Sequence, residues 1–527
     1  MTNSIEELED AECILVTGSN TTETHPVIAT YIKRAVIFKG AKLIVVDPRE
    51  IELSKYAHIS LKPKNGTDVA WINGMMHVIW KEGLIKKDFI DERTEGFEEI
   101  LPLIEKYTPE KVEEITGIPK EDLIEAARIY GRAERASIVY AMGITQHITG
   151  TDNVLSLANL ALMTGNVGKP STGVNPLRGQ NNVQGACDMG CLPNVLPGYV
   201  RVDDEAGRRR FEEFYGVRLP EKPGLTVTEM MKAASQGKVK AMYIVGENPI
   251  LTDPNIQHVE EALRNLEFLV VQDIFLTETA KYAHLVLPSA SFAEKEGTFT
   301  NTERRVLPVR PAFEPLNGSK TDFEIISLLS EALGYKMAVK SPMDALKEIN
   351  SLVPAYGGIT YERLNSGERI QWPCPKVDHQ GTKFLHKDTF VRGKGKFHPV
   401  DFIPPDEWPD EAYPFLLSTG RIIFHYHTGS MTRKVDSLNL FAPLPFLEMN
   451  EKDMKRLGLD DGETALVVSR RGKVTIRVAK SERVQEGSVF LPFHFSEAAA
   501  NILTNDAIDP VSKIPEYKVC AVRIEKL

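Results

Sequence analysis

Two stretches of the chain show the same order of apolar and polar positions. The first begins with the apolar run "CILVTGSN" (13–20), which ends in a polar turn, and continues with a segment of helical period that stops at Gly40. The apolar run "KLIVVD" follows and ends at Asp47, and "YAHISLKP" (56–63) has the pattern of a third strand. The apolar face of the helical segment carries Val27, Ile28, Tyr31, Ile32, Ala35 and Val36. This order predicts a β-α-β-β unit.

The same order recurs downstream. Residues 241–248 have the pattern of a strand that ends in a Gly-Glu-Asn turn. Residues 267–273 have the pattern of a strand that ends at Asp273, and residues 282–289 have the pattern of a third strand. In both copies the tyrosine that opens the third strand follows the aspartate by nine positions. The repeat predicts an α/β fold class with two related parallel-sheet, nucleotide-binding-like domains.

Ligands of such sheets bind beyond the carboxyl ends of the strands. We expect Gly18 and Gly246 to let a phosphate approach a helix N-terminus. Asp47 and Asp273 are placed to hydrogen-bond a ribose or a base edge. Neither turn is G-x-G-x-x-G, so NAD is not indicated. The repeat predicts two nucleotides, or one ligand with two nucleotide arms.

A further turn, "PKNGTD" (63–68), precedes a segment of helical period. Its apolar positions are Val69, Ala70, Met75, Met76 and Ile79. We expect Gly66, Thr67 and Asp68 to cap the N-terminus of this helix. The functional alternative is that they form another wall of the first nucleotide site.

The C-terminal part has a different pattern. Residues 365–412 are rich in Pro, Gly and Lys and are typical of a connector, whereas 457–495 show short alternating strands separated by glycines, which predict a small β-barrel. His425 and His427, two positions apart, would share one face of a strand. Because no third ligand is near, they favour a polar lining for a hydrogen-bond-rich ligand over a metal site.

The chain of 527 residues is too long for one core and predicts several domains. We assign the first α/β domain to 1–180, the second to 181–290, a connecting region to 291–408, and a C-terminal six-stranded β-barrel domain to 409–527.

Composition excludes several functions. The net charge of −10 argues against nucleic acid as a partner. No apolar run reaches the ~20 residues of a membrane span and the N-terminus is acidic, so we expect a cytoplasmic protein. The five cysteines are scattered, which indicates a reducing compartment. Cys187 and Cys191 form a C-x3-C pair without the further ligands of a zinc or iron–sulfur site, and are expected to be ordinary thiols.

One segment, "NPLRGQNNVQGACDMG" (175–190), places a single arginine, Arg178, among neutral amides and glycines. Taken alone it has the composition of a surface loop. Together with other motifs it has a second interpretation. The chain, from Met1 to Leu527, resembles the formate dehydrogenase catalytic subunits of the DMSO reductase family of molybdopterin enzymes. The motifs that carry the resemblance are "VTGSNTTETHPV", "VDPR", "RGQNNVQGACDMG", "VGENP", "VQDIF", "EKEGTFTNTERR", "STGR…YHTGSMTR" and "PEYKVCAV".

This resemblance implies a bis-molybdopterin guanine dinucleotide cofactor with molybdenum or tungsten. The first dinucleotide arm would contact Gly18, Ser19, Asn20, Asp47, Arg49, Gly66 and Asp68. The second would contact Gly246, Asn248, Gln272 and Asp273. The barrel would contribute Thr419, Gly420, Arg421, His425, His427, Thr428, Ser430, Asn501 and Lys518.

The resemblance also implies that Arg178 orients formate for oxidation to carbon dioxide. A guanidinium presents paired donors suited to a carboxylate. Gln180 and the neighbouring amides would hold the arginine and the cofactor. Electrons would pass to iron–sulfur, NAD-linked or hydrogenase subunits. The motif "RGQNNVQGACDMG" favours formate dehydrogenases over the related nitrate reductases. A nitrate or other oxyanion reductase is therefore the second enzymatic hypothesis. A non-catalytic, pterin-free scaffold is the third, although it would be expected to lose the glycines and polar lining.

The sequence departs from the family pattern at its front. It has neither the four cysteines of a [4Fe-4S] cluster nor the cysteine or selenocysteine that ligates the metal. We therefore expect the cluster only in a missing N-terminal part. The alternatives are a selenoprotein whose recoded stop codon divides the reading frame just before Met1, a separate N-terminal subunit, and an inactive remnant.

Overall fold

The computed structural model describes residues 1–316 and 318–527, and these form two compact units. The first unit comprises Met1–Leu177, Leu251–Gln257 and Phe384–Leu527, and the second comprises Arg178–Ile250 and His258–Lys383. The units differ from the four predicted domains, whose bounds stay a prediction. In the described part of the chain no helix has the length and apolarity needed to cross a membrane.

The first unit contains a five-stranded parallel sheet. Its strands, in spatial order, are Ile59–Leu61, Lys42–Val46, Cys13–Thr17, Ala136–Tyr140 and Gly173–Pro176. The order reverses at Cys13–Thr17, which pairs with Lys42–Val46 on one side and Ala136–Tyr140 on the other. In open α/β sheets ligands bind at this reversal, beyond the carboxyl ends of the strands.

Both faces of this sheet are buried. Alternate side chains of the central strand enter two different cores: Cys13 and Leu15 face one, and Ile14 and Val16 face the other. This burial on both sides explains why the strand is a continuous apolar run in the sequence. The predicted helix spans Pro26–Lys39 and ends at Gly40, as expected. Val27 is 69% exposed, so it does not belong to the buried face assigned to it.

The rest of the first unit consists of helices and of a β-barrel formed by its C-terminal segment. The α-helices are Thr21–Thr24, Pro26–Lys39, Asp68–Lys81, Lys87–Arg93, Phe97–Ile104, Pro109–Thr116, Lys120–Arg132, Met142–Thr145, Gly150–Met163, Asp436–Phe441 and Glu451–Leu457. Short 3-10 helices lie at Glu6–Asp10, Glu52–Tyr56, Thr432–Lys434, Ser496–Ala498 and Ala500–Ile502. Thr94–Glu95 pairs with Gly395–Lys396.

The barrel is closed and six-stranded. Around its circumference the strands are Phe415–Gly420, Ser488–Pro492, Phe446–Met449, Lys473–Lys480, Thr464–Val468 and Cys520–Lys526. Its interior is filled by alternating apolar side chains such as Val474, Ile476 and Val478. Closure removes the exposed strand edges that an open sheet of this size would leave.

The second unit contains a three-stranded parallel sheet in the order Leu285–Pro288, Phe268–Asp273, Ala241–Val245. This matches the third-second-first order of the first unit's sheet. The predicted fold class, two related parallel sheets and a barrel, is confirmed.

The second unit also has antiparallel pairs and further helices. The pairs are Gly297–Thr300 with Val306–Val309 and Val195–Leu196 with Val200–Arg201. The α-helices are Val183–Asp188, Glu205–Tyr215, Val227–Ser235, Asp322–Ala332, Pro342–Leu352 and Tyr361–Asn365, and the 3-10 helices are Pro197–Tyr199, Thr279–Tyr282, Phe292–Glu294 and Pro354–Tyr356. Pro249–Thr252 and Ile256–Arg264 each contain a boundary of the division into units.

Candidate functional site

In the first unit, the turn after the central strand is packed tightly against a second turn. Gly18 has a φ of +55°, and its carbonyl oxygen accepts the Gly143 N–H at 2.9 Å. A Cβ at Gly18 would lie 2.6 Å from the backbone nitrogen of Ile144. The absence of a side chain here is therefore required by backbone packing, and the phosphate approach expected at Gly18 stays a prediction.

Polar groups without protein partners follow this turn. Both side-chain amide atoms of Asn20, and the Thr22 hydroxyl, are buried and find no hydrogen-bond partner among the described residues. Ser19 is buried and its hydroxyl lies 2.9 Å from that of Thr21. Buried polar groups are paired in nearly all native structures, so unpaired groups at a sheet's carboxyl end indicate a polar ligand.

Asp47 and Arg49 follow the second strand. The Asp47 carboxylate accepts the Arg49 backbone N–H at 3.0 Å, and burial raises the pKa of Asp47 to about 6. The Arg49 guanidinium donates to both carboxylate oxygens of Glu448, at 2.8 and 2.5 Å, and lies 3.9 Å from the Phe490 ring centre. Arg49 thus has a partner within the protein, and its contact with the first arm stays a prediction.

The turn at 63–68 does not cap its helix as expected. The Thr67 hydroxyl donates backwards to the Lys64 carbonyl at 2.7 Å, and no side-chain capping bond is made at the start of Asp68–Lys81. Thr67 does stand at the N-cap position of the helix, but the predicted side-chain cap is absent because the hydroxyl closes the preceding turn. Gly66 has a φ of +79°, and a Cβ there would collide with Pro405.

Asp68 lies in a cluster of buried ionisable groups. Its carboxylate accepts the Trp71 indole N–H at 3.2 Å and lies 3.8 Å from the Nε2 atom of His147. Burial raises the pKa of Asp68 to about 7, and the neighbouring Asp47 charge adds to this. Two carboxyl groups that are costly to ionise in place favour a ligand that donates hydrogen bonds to them.

His147 was missed by the sequence reasoning. It is 2% exposed, its Nε2 atom donates to the Gly143 carbonyl at 2.8 Å, and its Nδ1 atom has no partner in the described part of the chain. Burial lowers the pKa of His147 to about 4, so the ring is neutral with an unpaired acceptor. Its position shortly after the strand Ala136–Tyr140 could have marked His147 as a candidate site residue, because ligands of such sheets bind beyond the carboxyl ends of the strands.

Two cations of the C-terminal part lack carboxylate partners among residues 1–316 and 318–527. Lys518 Nζ donates to the Thr419 carbonyl at 2.6 Å, and burial, with the Arg421 charge, lowers the pKa of Lys518 to about 7. Arg421 is half-buried, 4.9 Å from the Phe493 ring centre, and burial lowers its pKa. Such donors suit phosphate groups.

The two predicted histidines do not share a strand face. The strand ends at Gly420, before both of them, and His427 has a φ of +50°. His425 is buried and bonds the Ala442 carbonyl through Nε2 at 2.8 Å, so it supports the loop. Burial and the Arg421 charge lower the pKa of His427 to about 4.

His494, which no sequence pattern singled out, fixes this loop. Its Nε2 atom accepts the Ile422 N–H at 2.9 Å and its Nδ1 atom donates to the His427 carbonyl. Burial lowers the pKa of His494 to about 3, which agrees with a ring nitrogen that must stay unprotonated to accept.

The remaining C-terminal lining residues are held internally. The hydroxyls of Thr428 and Ser430 lie 2.8 Å apart, and Asn501 donates to the Asp253 carbonyl at 2.8 Å. A Cβ at Gly420 would collide with the Phe490 ring. Their contacts with a ligand stay predictions.

In the second unit, Gly246 follows the first strand of the sheet and Asp273 is the last residue of the second strand. Gly246 has a φ of +63°, and a Cβ there would have no atom within 4 Å. Asp273 accepts the Phe275 N–H at 3.1 Å, and burial raises its pKa. This turn, unlike Gly18, has open space in front of it.

The other two predicted residues of the second arm are engaged within the protein. Asn248 is buried, donates to Glu278 at 2.9 Å and accepts the Thr279 hydroxyl at 2.7 Å. Gln272 is buried, donates to Asp322 at 2.7 Å and accepts the Tyr243 hydroxyl. Their contacts with the second arm stay predictions.

Arg178 opens the second unit and is exposed. Its backbone N–H donates to the Thr302 hydroxyl at 3.0 Å, and its Nε atom donates to the side-chain Oε1 atom of Gln184 at 3.4 Å. Gln180 is half-buried in the same loop. Burial raises the pKa of the Cys187 thiol. The nearby positive charge of Arg178 acts in the opposite direction and lowers it.

Comparisons with known proteins agree with this geometry. Residues 1–332 match the molybdopterin oxidoreductase family, and residues 415–521 match the molydopterin dinucleotide binding domain. The F420-dependent formate dehydrogenase subunit alpha of Methanocaldococcus jannaschii is 54% identical over 531 residues, which cover 100% of this chain and 78% of that protein. Formate dehydrogenase H of Escherichia coli is 41% identical, with 100% of this chain and 74% of that protein covered.

A solved structure shows the same fold. Acetylene hydratase from Pelobacter acetylenicus superposes with a TM-score of 0.78 at 21% identity, covering 100% of this chain and 81% of that one. Three observations support the same family assignment. They are the match to the family's sequence, the relatives above 40% identity over the whole chain, and the unpaired polar groups at the carboxyl end of the sheet. The chain belongs to the molybdopterin oxidoreductase family.

Proposed function

We propose that this chain oxidises formate to carbon dioxide as the catalytic subunit of a molybdopterin-dependent enzyme. The observation that carries the proposal is full-chain similarity to formate dehydrogenase alpha subunits, together with an exposed Arg178 held in a hydrogen-bonded loop. Formate is a small anion, and a guanidinium offers it paired donors that fix its orientation.

The residues of the first unit fit one arm of a dinucleotide cofactor. Asn20 supplies unpaired amide groups, His147 an unpaired acceptor, and Asp47 and Asp68 carboxyl groups for the donors of a base or ribose. Arg421 and Lys518 supply positive charge for phosphate. The half-buried position of these cations excludes much of the water that would otherwise screen them.

For the second arm, the open turn at Gly246 and the carboxylate of Asp273 are the strongest candidates in the second unit. Backbone N–H groups at such a turn bind phosphate without side chains. When bound, a bis-molybdopterin guanine dinucleotide with molybdenum or tungsten would accept the two electrons of formate. Arg178 would hold the carboxylate while the carbon–hydrogen bond breaks, one proton leaves to a base, and carbon dioxide is released.

The acceptor of the electrons belongs to the proposal as well. We infer partner subunits with iron–sulfur clusters, an NAD-linked partner or a hydrogenase, and the name of the M. jannaschii relative adds an F420-linked partner. A [4Fe-4S] cluster in the same enzyme would come from a part that these residues do not supply. We place the enzyme in the cytoplasm.

The test is a paired measurement on the enzyme purified anaerobically from its native source. Acid release should yield a guanine dinucleotide, and formate should drive reduction of a viologen dye. A dinucleotide with nitrate-dependent dye oxidation and no formate activity would favour an oxyanion reductase instead. Absence of the dinucleotide would favour a non-catalytic scaffold.

A further inference from the structure

A buried carboxylate in the second unit collects donors from distant parts of the chain. Asp188 is 1% exposed, and its Oδ1 atom accepts the Gln184 side-chain N–H at 2.7 Å and the Tyr199 hydroxyl at 2.8 Å. Its Oδ2 atom accepts the Tyr356 hydroxyl at 2.6 Å and the Trp372 indole N–H at 2.7 Å. A carboxylate with all these donors is fixed in place and can only accept.

This arrangement fixes which way the Gln184 amide points. Because its nitrogen donates to the Asp188 carboxylate, its oxygen faces the other way, where Arg178 Nε donates at 3.4 Å. A flipped amide would place its N–H groups against the Arg178 N–H. The Asp188 charge therefore selects the amide orientation that accepts from the arginine.

We propose that Asp188 is a positioning residue for formate oxidation, which acts through Gln184 to orient the Arg178 guanidinium. The inference rests on the proposed function of Arg178. Asp188 lies in the "RGQNNVQGACDMG" segment, at the end of Val183–Asp188, where its sequence neighbours give no sign of its partners.

The backbone of the loop is held separately from the arginine side chain. Arg178 N–H donates to the Thr302 hydroxyl, and Asn182, with a φ of +60°, accepts the Thr300 N–H at 2.9 Å. A Cβ at Gly185 would collide with the Asn182 side chain. Loss of the Asp188 carboxylate should thus alter the orientation of the guanidinium and leave the path of the loop.

The decisive variant is Asp188→Asn, which keeps the shape but replaces one acceptor by a donor. In the complete enzyme we expect kcat/KM for formate to fall at least about tenfold. Gln184→Ala should give a similar fall, and the double variant no further one, because the two residues act in one chain of contacts. Tyr356→Phe is the matched control: it removes a donor from the opposite carboxylate oxygen and should stay within about threefold of the wild type.

A second readout does not depend on turnover. In arginine-labelled protein, the NMR resonance of the Arg178 Nε–H group is assigned by its loss in Arg178→Lys. The exchange of this hydrogen with solvent should be at least about tenfold faster in Asp188→Asn and Gln184→Ala than in the wild type or Tyr356→Phe. Unchanged exchange in Asp188→Asn, or additive losses in the double variant, would overturn the proposal. A wild-type enzyme that does not oxidise formate would refute the proposed function, while the exchange rates would still decide the positioning.

Discussion

Gly18 and Gly143 lie back to back at the carboxyl end of the first sheet, with the Gly143 N–H bonded to the Gly18 carbonyl at 2.9 Å. A Cβ on Gly143 would come within 2.5 Å of the Gly18 Cα. The turn that opens the first candidate site is therefore shaped by contact between two backbones.

Gly18→Ala should destabilise the protein by about 2–4 kcal/mol, because the new Cβ meets the backbone of residues 143–144 in addition to the strain of a positive φ. Gly40→Ala is the control: it has a φ of +71° with no atom within 4 Å of a Cβ, and should cost only about 1 kcal/mol. Denaturant unfolding of both variants measures the difference. Equal losses would show that packing against Gly143 contributes nothing.

Gly246→Val should abolish loading of the dinucleotide, since a branched side chain would fill the open space in front of this turn. Gly237→Val controls for backbone strain, because Gly237 also has a positive φ, of +69°, and open space around it. The guanine dinucleotide released by acid is measured for each. A full complement in Gly246→Val would remove this turn from the second arm.

Arg49→Met should lower the free energy of unfolding by about 2–3 kcal/mol, because it leaves the buried Glu448 carboxylate without its bidentate partner. The double variant Arg49→Met/Glu448→Met should recover most of this loss. If Arg49→Met is as stable as the wild type and yet binds no cofactor, the arginine serves the ligand and not the ion pair.

Asp68→Asn should change the pH dependence of stability in the cofactor-free protein. The folded pKa of Asp68 is raised to about 7, so its stabilising contribution is complete below pH ~4 and is lost as pH rises towards 7. Asparagine cannot ionise and still accepts the Trp71 N–H. The variant's stability relative to the wild type should therefore increase from pH 4 to pH 7, by at least about 1 kcal/mol. Thermal midpoints across this range test it, and a constant difference would contradict it.

Arg178→Lys should lower formate oxidation at least about tenfold while leaving the dinucleotide content unchanged, because a lysine cannot offer paired donors to a carboxylate. Formate-dependent dye reduction and acid-released cofactor are measured on the same preparation. Activity close to the wild type would remove Arg178 from the proposed catalytic role.

The sequence by itself determined the parts of this protein that depend on local pattern. The strand Cys13–Thr17 is buried on both faces and is therefore a continuous apolar run. Its repeat at Ala241–Val245 shows the same apolar order although only Ile244 is buried, so both strands could be recognised together with the glycine turns that follow them. Alternating positions predicted the barrel. Motifs in the turns indicated the family, because a dinucleotide-binding turn needs particular residues close together in the chain.

Only the tertiary structure decided which polar residues meet. Arg49 and Glu448 stand 399 positions apart, and Asp188 and Trp372 stand 184 apart. His147 entered the site unpredicted, because burial and unpaired atoms depend on which distant segments surround a side chain. Local periodicity records whether a residue faces inwards, but hydrogen-bond partners and shifted pKa values come from packing between segments that the linear pattern does not relate.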